Sequence, residues 1–420
     1  MLTINDVYKL DHYPRVAAAV TAARAEAAAL NCVVTSHLNG DFLSPCTLTA
    51  IDGGRAMTEA LSHAKIDYVM LGNHEFDFGF DVPVARMAGF SGKCLNGNIT
   101  NSPINKLPKH DIVSVGDKKV VFTGLLTEDT SIYAPSNVPV ITKPATAAVE
   151  VWDEATKQLG QAPDLFVPMT HMLVPEDKAT AVEIAKHDGL GKCTPLILGG
   201  HEHDMYVDEA GKSTIVKVGQ DAERLGVCDV WWDAEGKVHS KVSVLPITEF
   251  DEDASAKAFV TAKHDFLNQM MSAPIANVDT PMSSKKVRFE PSGVATFLLS
   301  FVERNMKHSM KADMAMVQGG FVRYKKEYSA GEFTMGDLFG EFAFEGPFCV
   351  IPIKGEIIQQ STVNTRSAKK PAPNFLHFSN AVVVEGEEAN HRIVSVSGEP
   401  FDPEKIYQVA IYHHLLTVRG

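Results

Sequence analysis

Cysteine is scarce and scattered. The six residues Cys32, Cys46, Cys94, Cys193, Cys228 and Cys349 form no Cys-x-x-Cys pair. That argues against a disulfide framework and a zinc ribbon alike, and leaves reduced, mostly buried thiols as the expectation. No uninterrupted run of about 18 apolar residues occurs, so no membrane-spanning helix is written in the sequence. There is no internal repeat and no low-complexity segment. Positive charge is the minority: 39 Lys and Arg face 52 Asp and Glu, a net charge of −13. An acidic surface of that size repels polyphosphate backbones and anionic lipids, so nucleic-acid and membrane partners are excluded on bulk charge. Any phosphate chemistry must rest on a local positive centre. The opening Met1-Leu2-Thr3-Ile4-Asn5-Asp6 lacks the basic segment and apolar stretch of an export signal, and a cytoplasmic location is the expectation.

What is present is the composition of a folded chain, 45% apolar and 22% charged over 420 residues, long enough for about two to three domains. Short β-like runs alternate with helical stretches, the pattern of layered α/β packing. Strands are expected at Leu2 to Val7, Cys32 to Leu38, Asp67 to Leu71, Lys119 to Leu125, Leu165 to Met169, Leu196 to Leu198 and Thr214 to Val218. Helices are expected at Tyr13 to Leu30, which is Ala-rich with Pro14 near its start, and at Gly54 to Lys65, Thr146 to Gly160 and Asp177 to Lys186. A charged helix from Glu249 to Met271 marks a boundary. Beyond it, Ser292 to Lys307 reads as helix, Ala315 to Val317 and Tyr407 to Ile411 as strands, and Gly319-Gly320 as a tight turn. The expected organisation is a first domain over 1–247, a helical linker over 248–275 and a second domain over 276–420.

Sixteen histidines make a metal site worth seeking. Five polar clusters each follow an expected strand: Asn5-Asp6-Val7-Tyr8, Gly40-Asp41-Phe42, Gly72-Asn73-His74-Glu75-Phe76-Asp77, Thr170-His171 and Gly199-Gly200-His201-Glu202-His203. Taken singly, Asp6 or Asp41 reads as a cap or turn residue, and His171 as a packed or surface histidine. His-x-His has more metal character, because alternation in an extended segment puts both imidazoles on one side. Ligands in layered α/β proteins sit at the carboxyl ends of strands, so together the five clusters point to one divalent-metal site on one sheet edge. Cys46 and Asn96-Gly97-Asn98 read as packing and turn chemistry respectively.

The order of these motifs resembles the calcineurin-like metallophosphoesterases. With Phe76-Asp77 and the C-terminal extension, the resemblance narrows to the 5′-nucleotidase family. It implies a four-layer α/β/β/α sandwich followed by a C-terminal α+β domain. It further implies two divalent ions (Mn, Zn, Fe or Co), with Asp41 bridging both, Asp6 and His203 on the first, and Asn73, His171 and His201 on the second. Two such ions clamp phosphoryl oxygens and activate water near neutral pH, and Asp6 and Asp41 cancel only half of their charge. His74, oriented by Asp77, is implied to stabilise the phosphoryl group or protonate the leaving oxygen. Tyr8 departs from the pattern, which usually has histidine there. Three readings stay open: it ligates as phenolate, it lies behind an open coordination position, or it damages the first site.

In the C-terminal half, Arg288, Gly320, Arg323 and Phe348 match the family's substrate-binding arginines, Gly-Gly turn and first stacking aromatic. Gln318 replaces the usual asparagine. The second aromatic of the family's base clamp has no counterpart before Gly420, although Tyr412, His413 and His414 lie nearby. The implied function is hydrolysis of a phosphate monoester, a nucleoside 5′-monophosphate or another small phosphorylated substrate. The alternatives are a phosphodiesterase or pyrophosphatase acting on cyclic nucleotides or nucleotide sugars, and a catalytically silent scaffold that binds a nucleotide or a protein.

Overall fold

The computed structural model describes residues 1–30, 32–342, 346–367, 370–387 and 390–413. The chain divides into two compact units, Met1–Asp265 and Phe266–Gly420.

The first unit is built on two six-stranded sheets. Strands β1 (Leu2–Ile4), β2 (Ser36–Asn39), β3 (Tyr68–Met70) and β4 (Lys93–Leu95) run parallel, extended on the β1 side by an antiparallel pair, β11 (Arg224–Trp232) and β12 (Val238–Pro246). The second sheet has the order β5 (His110–Val115), β6 (Lys118–Leu126), β7 (Leu165–His171), β8 (Leu196–Leu198), β10 (Ser213–Val218) and β9 (Met205–Ala210), with β6, β7, β8 and β10 parallel. The sheets face each other, β2 and β3 against β7 and β1 against β10. Strands buried on both faces read as continuous apolar runs, as Leu165 to Met169 and Leu196 to Leu198 do.

Helices complete the layers. On the second sheet, α5 (Pro144–Leu159) and α6 (Val174–Lys186) bury Ala147, Ala148, Val151, Trp152 and Ile184 against Val121, Leu125 and Phe166. Beside the first sheet, α1 (Tyr13–Ala29) buries Val16, Ala17 and Val20 and packs with α3 (Arg55–His63). Shorter helices α2 (Thr47–Asp52) and α4 (Asp81–Met87) follow β2 and β3. The expected four-layer sandwich is thus the observed one.

Two details differ from the sequence reading. The ladder of β2 begins at Ser36, paired with Leu2, so Cys32 to Thr35 lie outside the strand, although the Thr35 carbonyl accepts from Leu2 N–H. The hairpin β11–β12 was not anticipated. Its alternation supplies a two-strand edge that shields β1 from solvent.

Helix α7 (Ala254–Met271) crosses the division between the units. Its first turns pack into the first unit, because Ala256 and Val260 are buried, Phe259 stacks on His63, and Lys263 pairs with Glu59. The division between the units, after residue 265, falls inside this helix.

The second unit centres on a four-stranded sheet in the order Phe348–Lys354, Ile406–Tyr412, Met314–Gln318, Leu376–Phe378. Alternation splits its side chains between two cores. Ala315, Val317, Ala410 and Tyr412 pack with Ala295 and Leu299 of helix Gly293–Met310, whose Ser292 caps the first turn. Met314, Val409 and Ile411 pack with Ile358 of helix Gly355–Arg366. Among the described residues no helix is long and apolar enough to cross a membrane. Cys94, Cys193 and Cys228 are buried, Cys32 is exposed, and all six thiols are unbridged.

Candidate metal centre

Five segments converge at the carboxyl ends of the central strands. Asn5-Asp6 follows β1, Gly40-Asp41 follows β2, Gly72-Asn73-His74 follows β3, His171 ends β7 and His201 to His203 follow β8. Bringing them together strains the backbone. Asp6, Asp41 and His201 adopt φ of 53°, 55° and 92°, a region that side chains disfavour by about 1–3 kcal/mol each and that concentrates at functional sites. Gly40, at φ 80°, is needed for a second reason: a Cβ there would lie 2.3 Å from His171 Nδ1.

Among the described residues, ligand atoms of Asp41, His171 and His201 lie within 4.8 Å of one another. His171 Nε2 is 3.1 Å from Asp41 Oδ2 and 3.9 Å from Asp6 Oδ1. It is buried, and the carboxylates of Asp41 and Asp6 are the charged groups nearest to it. Its other nitrogen, Nδ1, sits 2.8 Å from the Asn39 carbonyl, which holds the tautomer that leaves the Nε2 lone pair free. His201 Nδ1 lies 3.0 Å from Asn73 Oδ1, and its main-chain N–H donates to Asp6 Oδ2 at 2.9 Å. This donor set of one carboxylate, one amide oxygen and two imidazoles fits a divalent ion of the Mn, Fe, Co or Zn type.

The charge states agree. Burial pushes the His171 imidazole down, but Asp41 and Asp6 overrule it and hold it up at about 10, so without a metal a proton occupies the place a cation would take. Burial, then His171, pushes His201 down to about 4. Burial raises Asp6, whereas His171 outweighs burial at Asp41 and lowers it.

Around Asp6 and His203 the picture differs. The Tyr8 phenol oxygen lies 3.3 Å from Asp6 Oδ1, 3.2 Å from Asp41 Oδ2 and 3.0 Å from His203 Nε2. It stands among the three groups assigned to the first ion. Burial, followed by Asp41 and Asp6, raises the phenol well above its usual range, so the hydroxyl is neutral and spans the set by hydrogen bonding. Tyr8→His, which offers a lone pair without first losing a proton, is expected to raise bound Mn²⁺ from about one tightly held ion per chain to about two. Metal analysis after gel filtration checks this.

His74 stands beside the cluster. Its N–H donates to Asp41 Oδ1 at 2.9 Å, and its ring Nδ1 lies 2.9 Å from Asp77 Oδ2, which also accepts from Ser44 Oγ at 2.7 Å. The Asp77 bond, against partial burial, raises the imidazole to about 8.

The sequence motif alone assigns Glu75 no role. It is buried, and its carboxylate accepts N–H bonds from Asp41, Phe42, Leu43 and Gly72 at 2.6–2.9 Å, clipping the loop after β2 to the loop after β3. The available signal was an acid inside a motif flanked by strand ends, where main-chain N–H groups need acceptors. Asn5 likewise accepts from Val218 N–H and donates to Asp6 and to the Gly219 carbonyl. Asn96 and Asn98 spend their amides on main-chain groups, and burial raises the Cys46 thiol.

In the second unit, Arg288, Gln318, Gly320, Phe321, Arg323 and Tyr412 line a cavity of about 340 Å³ together with Pro373. Arg288 Nε is buried there without a hydrogen-bond partner among the described residues, and the Gly320 N–H is spent on the Pro373 carbonyl. Phe348 does not line this cavity. Its ring packs with Phe342 and Tyr412 and borders a separate apolar cavity, so the aromatics beside the arginines are Phe321 and Tyr412. His414 lies outside the described residues.

The two-sheet sandwich thus gathers carboxylates, an amide and histidines at its strand ends. Residues 274–419 match the family model described as the 5′-nucleotidase C-terminal domain. The chain is 24% identical to protein UshA of Yersinia enterocolitica over 82% of this chain and 70% of that protein. It is 22% identical to endonuclease YhcR of Bacillus subtilis over 86% of this chain but only 31% of that protein. The NAD nucleotidase structure of Haemophilus influenzae superposes with a TM-score of 0.60 at 16% identity, covering 98% of this chain and 88% of that one. The resemblance to 5′-nucleotidases is thereby borne out, in sequence over the second unit and in fold over the chain.

Proposed function

We propose that this chain hydrolyses phosphate esters, with a nucleoside 5′-monophosphate or another small phosphate monoester as substrate. In this reading one divalent ion is held tightly by Asp41, Asn73, His171 and His201, and a second more weakly by Asp6, Asp41 and His203 beside the Tyr8 hydroxyl. The observation that carries it is the buried cluster of Asp41, His171 and His201, whose ligand atoms lie within 4.8 Å of one another. When bound, such ions polarise phosphoryl oxygens and supply an activated water.

The protein's own groups do the rest. Asp77 fixes the His74 ring through Nδ1, leaving Nε2–H to donate to a phosphoryl or leaving oxygen. With its pKa at about 8, His74 carries that proton at neutral pH. Glu75 holds the Asp41 loop. Arg288 and Arg323 bind the anionic or nucleoside part of the substrate in the second unit's cavity.

The test is a kinetic screen of mononucleotides, nucleotide sugars, cyclic nucleotides and an aryl phosphate with added Mn²⁺ or Zn²⁺. The proposal expects mononucleotides to lead. Preference for cyclic nucleotides or nucleotide sugars would move the assignment to a phosphodiesterase or pyrophosphatase, and nucleotide binding without turnover would indicate a silent scaffold. Arg288→Ala and Arg323→Ala should each raise KM about 10- to 100-fold, the worth of one charge-assisted hydrogen bond, with bound metal unchanged.

A further inference from the structure

Lys217, in β10, is fully enclosed by protein. Three oxygens surround its ammonium: Asp177 Oδ2 at 2.8 Å, the Met172 carbonyl at 2.5 Å, and Glu202 Oε2 as a direct ion pair. Each leads to a histidine segment. Asp177 Oδ1 accepts from Thr170 Oγ1 at 2.6 Å, and Thr170 and Met172 flank His171. Glu202 sits between His201 and His203, and its Oε1 accepts from Val174 N–H at 2.5 Å, at the start of α6. The lysine stem runs under Gly199, where a Cβ would lie 2.9 Å from Lys217 Cε. One buried cation thus ties the end of β7 to the loop after β8, the two segments that carry His171, His201 and His203.

We propose that Lys217 is a positioning residue, acting with Glu202 and Asp177 to set the spacing of the three histidines and so the affinity of the metal site. The proposal rests on the reading that these histidines hold metal. A buried charge persists only when its partners are fixed around it, and groups that orient ligands without touching the ion typically govern about 10- to 100-fold in metal affinity. Neutralising one partner leaves the remaining charges unbalanced and releases the segment that partner holds.

The experiment measures Mn²⁺ affinity by calorimetry on the full chain, beside the melting temperature of the metal-free protein in chelator. Glu202→Gln, at a partly buried site, is the primary variant, and Lys217→Met, which keeps the stem without the charge, is the second. The expected result is a loss of about 10- to 100-fold in Mn²⁺ affinity for Glu202→Gln, with the metal-free protein still folded. Affinity within about 3-fold of the parent, whatever the melting temperature, would overturn the positioning role. A parent chain that binds no Mn²⁺ would instead overturn the metal-site reading, and this inference with it.

Discussion

Asp41→Asn is expected to bring phosphate-ester hydrolysis down to the background rate and to release metal. Asparagine keeps the size of the side chain and one oxygen to accept the His74 N–H, so the loops stay near their places. What disappears is the charge. Asp41 lies 3.1 Å from His171 Nε2 and belongs to the three-donor cluster with His201. It is also the carboxylate that faces both sets of candidate ligands, since the Tyr8 hydroxyl reaches it as well. Even groups outside a ligand set can cost about 10- to 100-fold, so removing a shared ligand should cost more than about 100-fold. Steady-state turnover of an aryl phosphate, with metal content measured on the same sample, checks both halves. A variant that keeps its metal and a rate within about tenfold of the parent would contradict the assignment.

His74→Ala should behave differently, retaining bound metal while losing about 10²- to 10⁴-fold in turnover, the range for a positioned proton donor. The distinction follows from geometry: the His74 ring is held by Asp77, and only its main-chain N–H engages Asp41. Asp77→Asn adds a pH signature. The bond to Asp77 holds His74 at about 8, above the usual value of about 6.5. A raised pKa means the proton is kept until pH rises through about 8, and without Asp77 it leaves at lower pH. If His74 acts in its protonated form, as proposed, the alkaline limb of kcat/KM should move down by about 1 to 1.5 pH units. Metal loss equal to that of Asp41→Asn, or an unmoved limb, would contradict this role.

Much of this site was legible because strands that end in polar residues announce themselves. Leu2 to Ile4 followed by Asn5-Asp6, and Leu196 to Leu198 followed by Gly199-Gly200-His201, are apolar runs cut short by chemistry that a buried strand cannot use. The boundaries were less legible. Cys32 to Val34 look like strand, yet the ladder starts only where β1 offers a partner. Burial-dependent roles were hidden altogether. Glu75 and Lys217 are residue types that composition assigns to the surface, and their enclosure depends on loops brought together from distant positions. Phe348 illustrates the limit of motif transfer. Phe348 opens a strand whose alternation, along Phe348–Lys354, turns its ring into the packed cluster with Phe342 and away from the cavity that the arginines line.

The role of Tyr8 is likewise a matter of geometry. Sequence left it as ligand, neighbour or lesion. In the fold its hydroxyl stands among Asp6, Asp41 and His203, so the two candidate sites are unequal, one open and one bridged by a neutral phenol.

The central claim is that divalent metal bound at the strand ends makes this chain a phosphoesterase. The most direct measurement is metal content per chain after reconstitution with Mn²⁺ or Zn²⁺ and removal of free ion, paired with hydrolysis of an aryl phosphate before and after chelation. The account predicts at least about one tightly held ion per chain and hydrolysis that chelator abolishes and added metal restores. Substantially less than about one ion per chain, with no hydrolysis at any metal concentration, would contradict it.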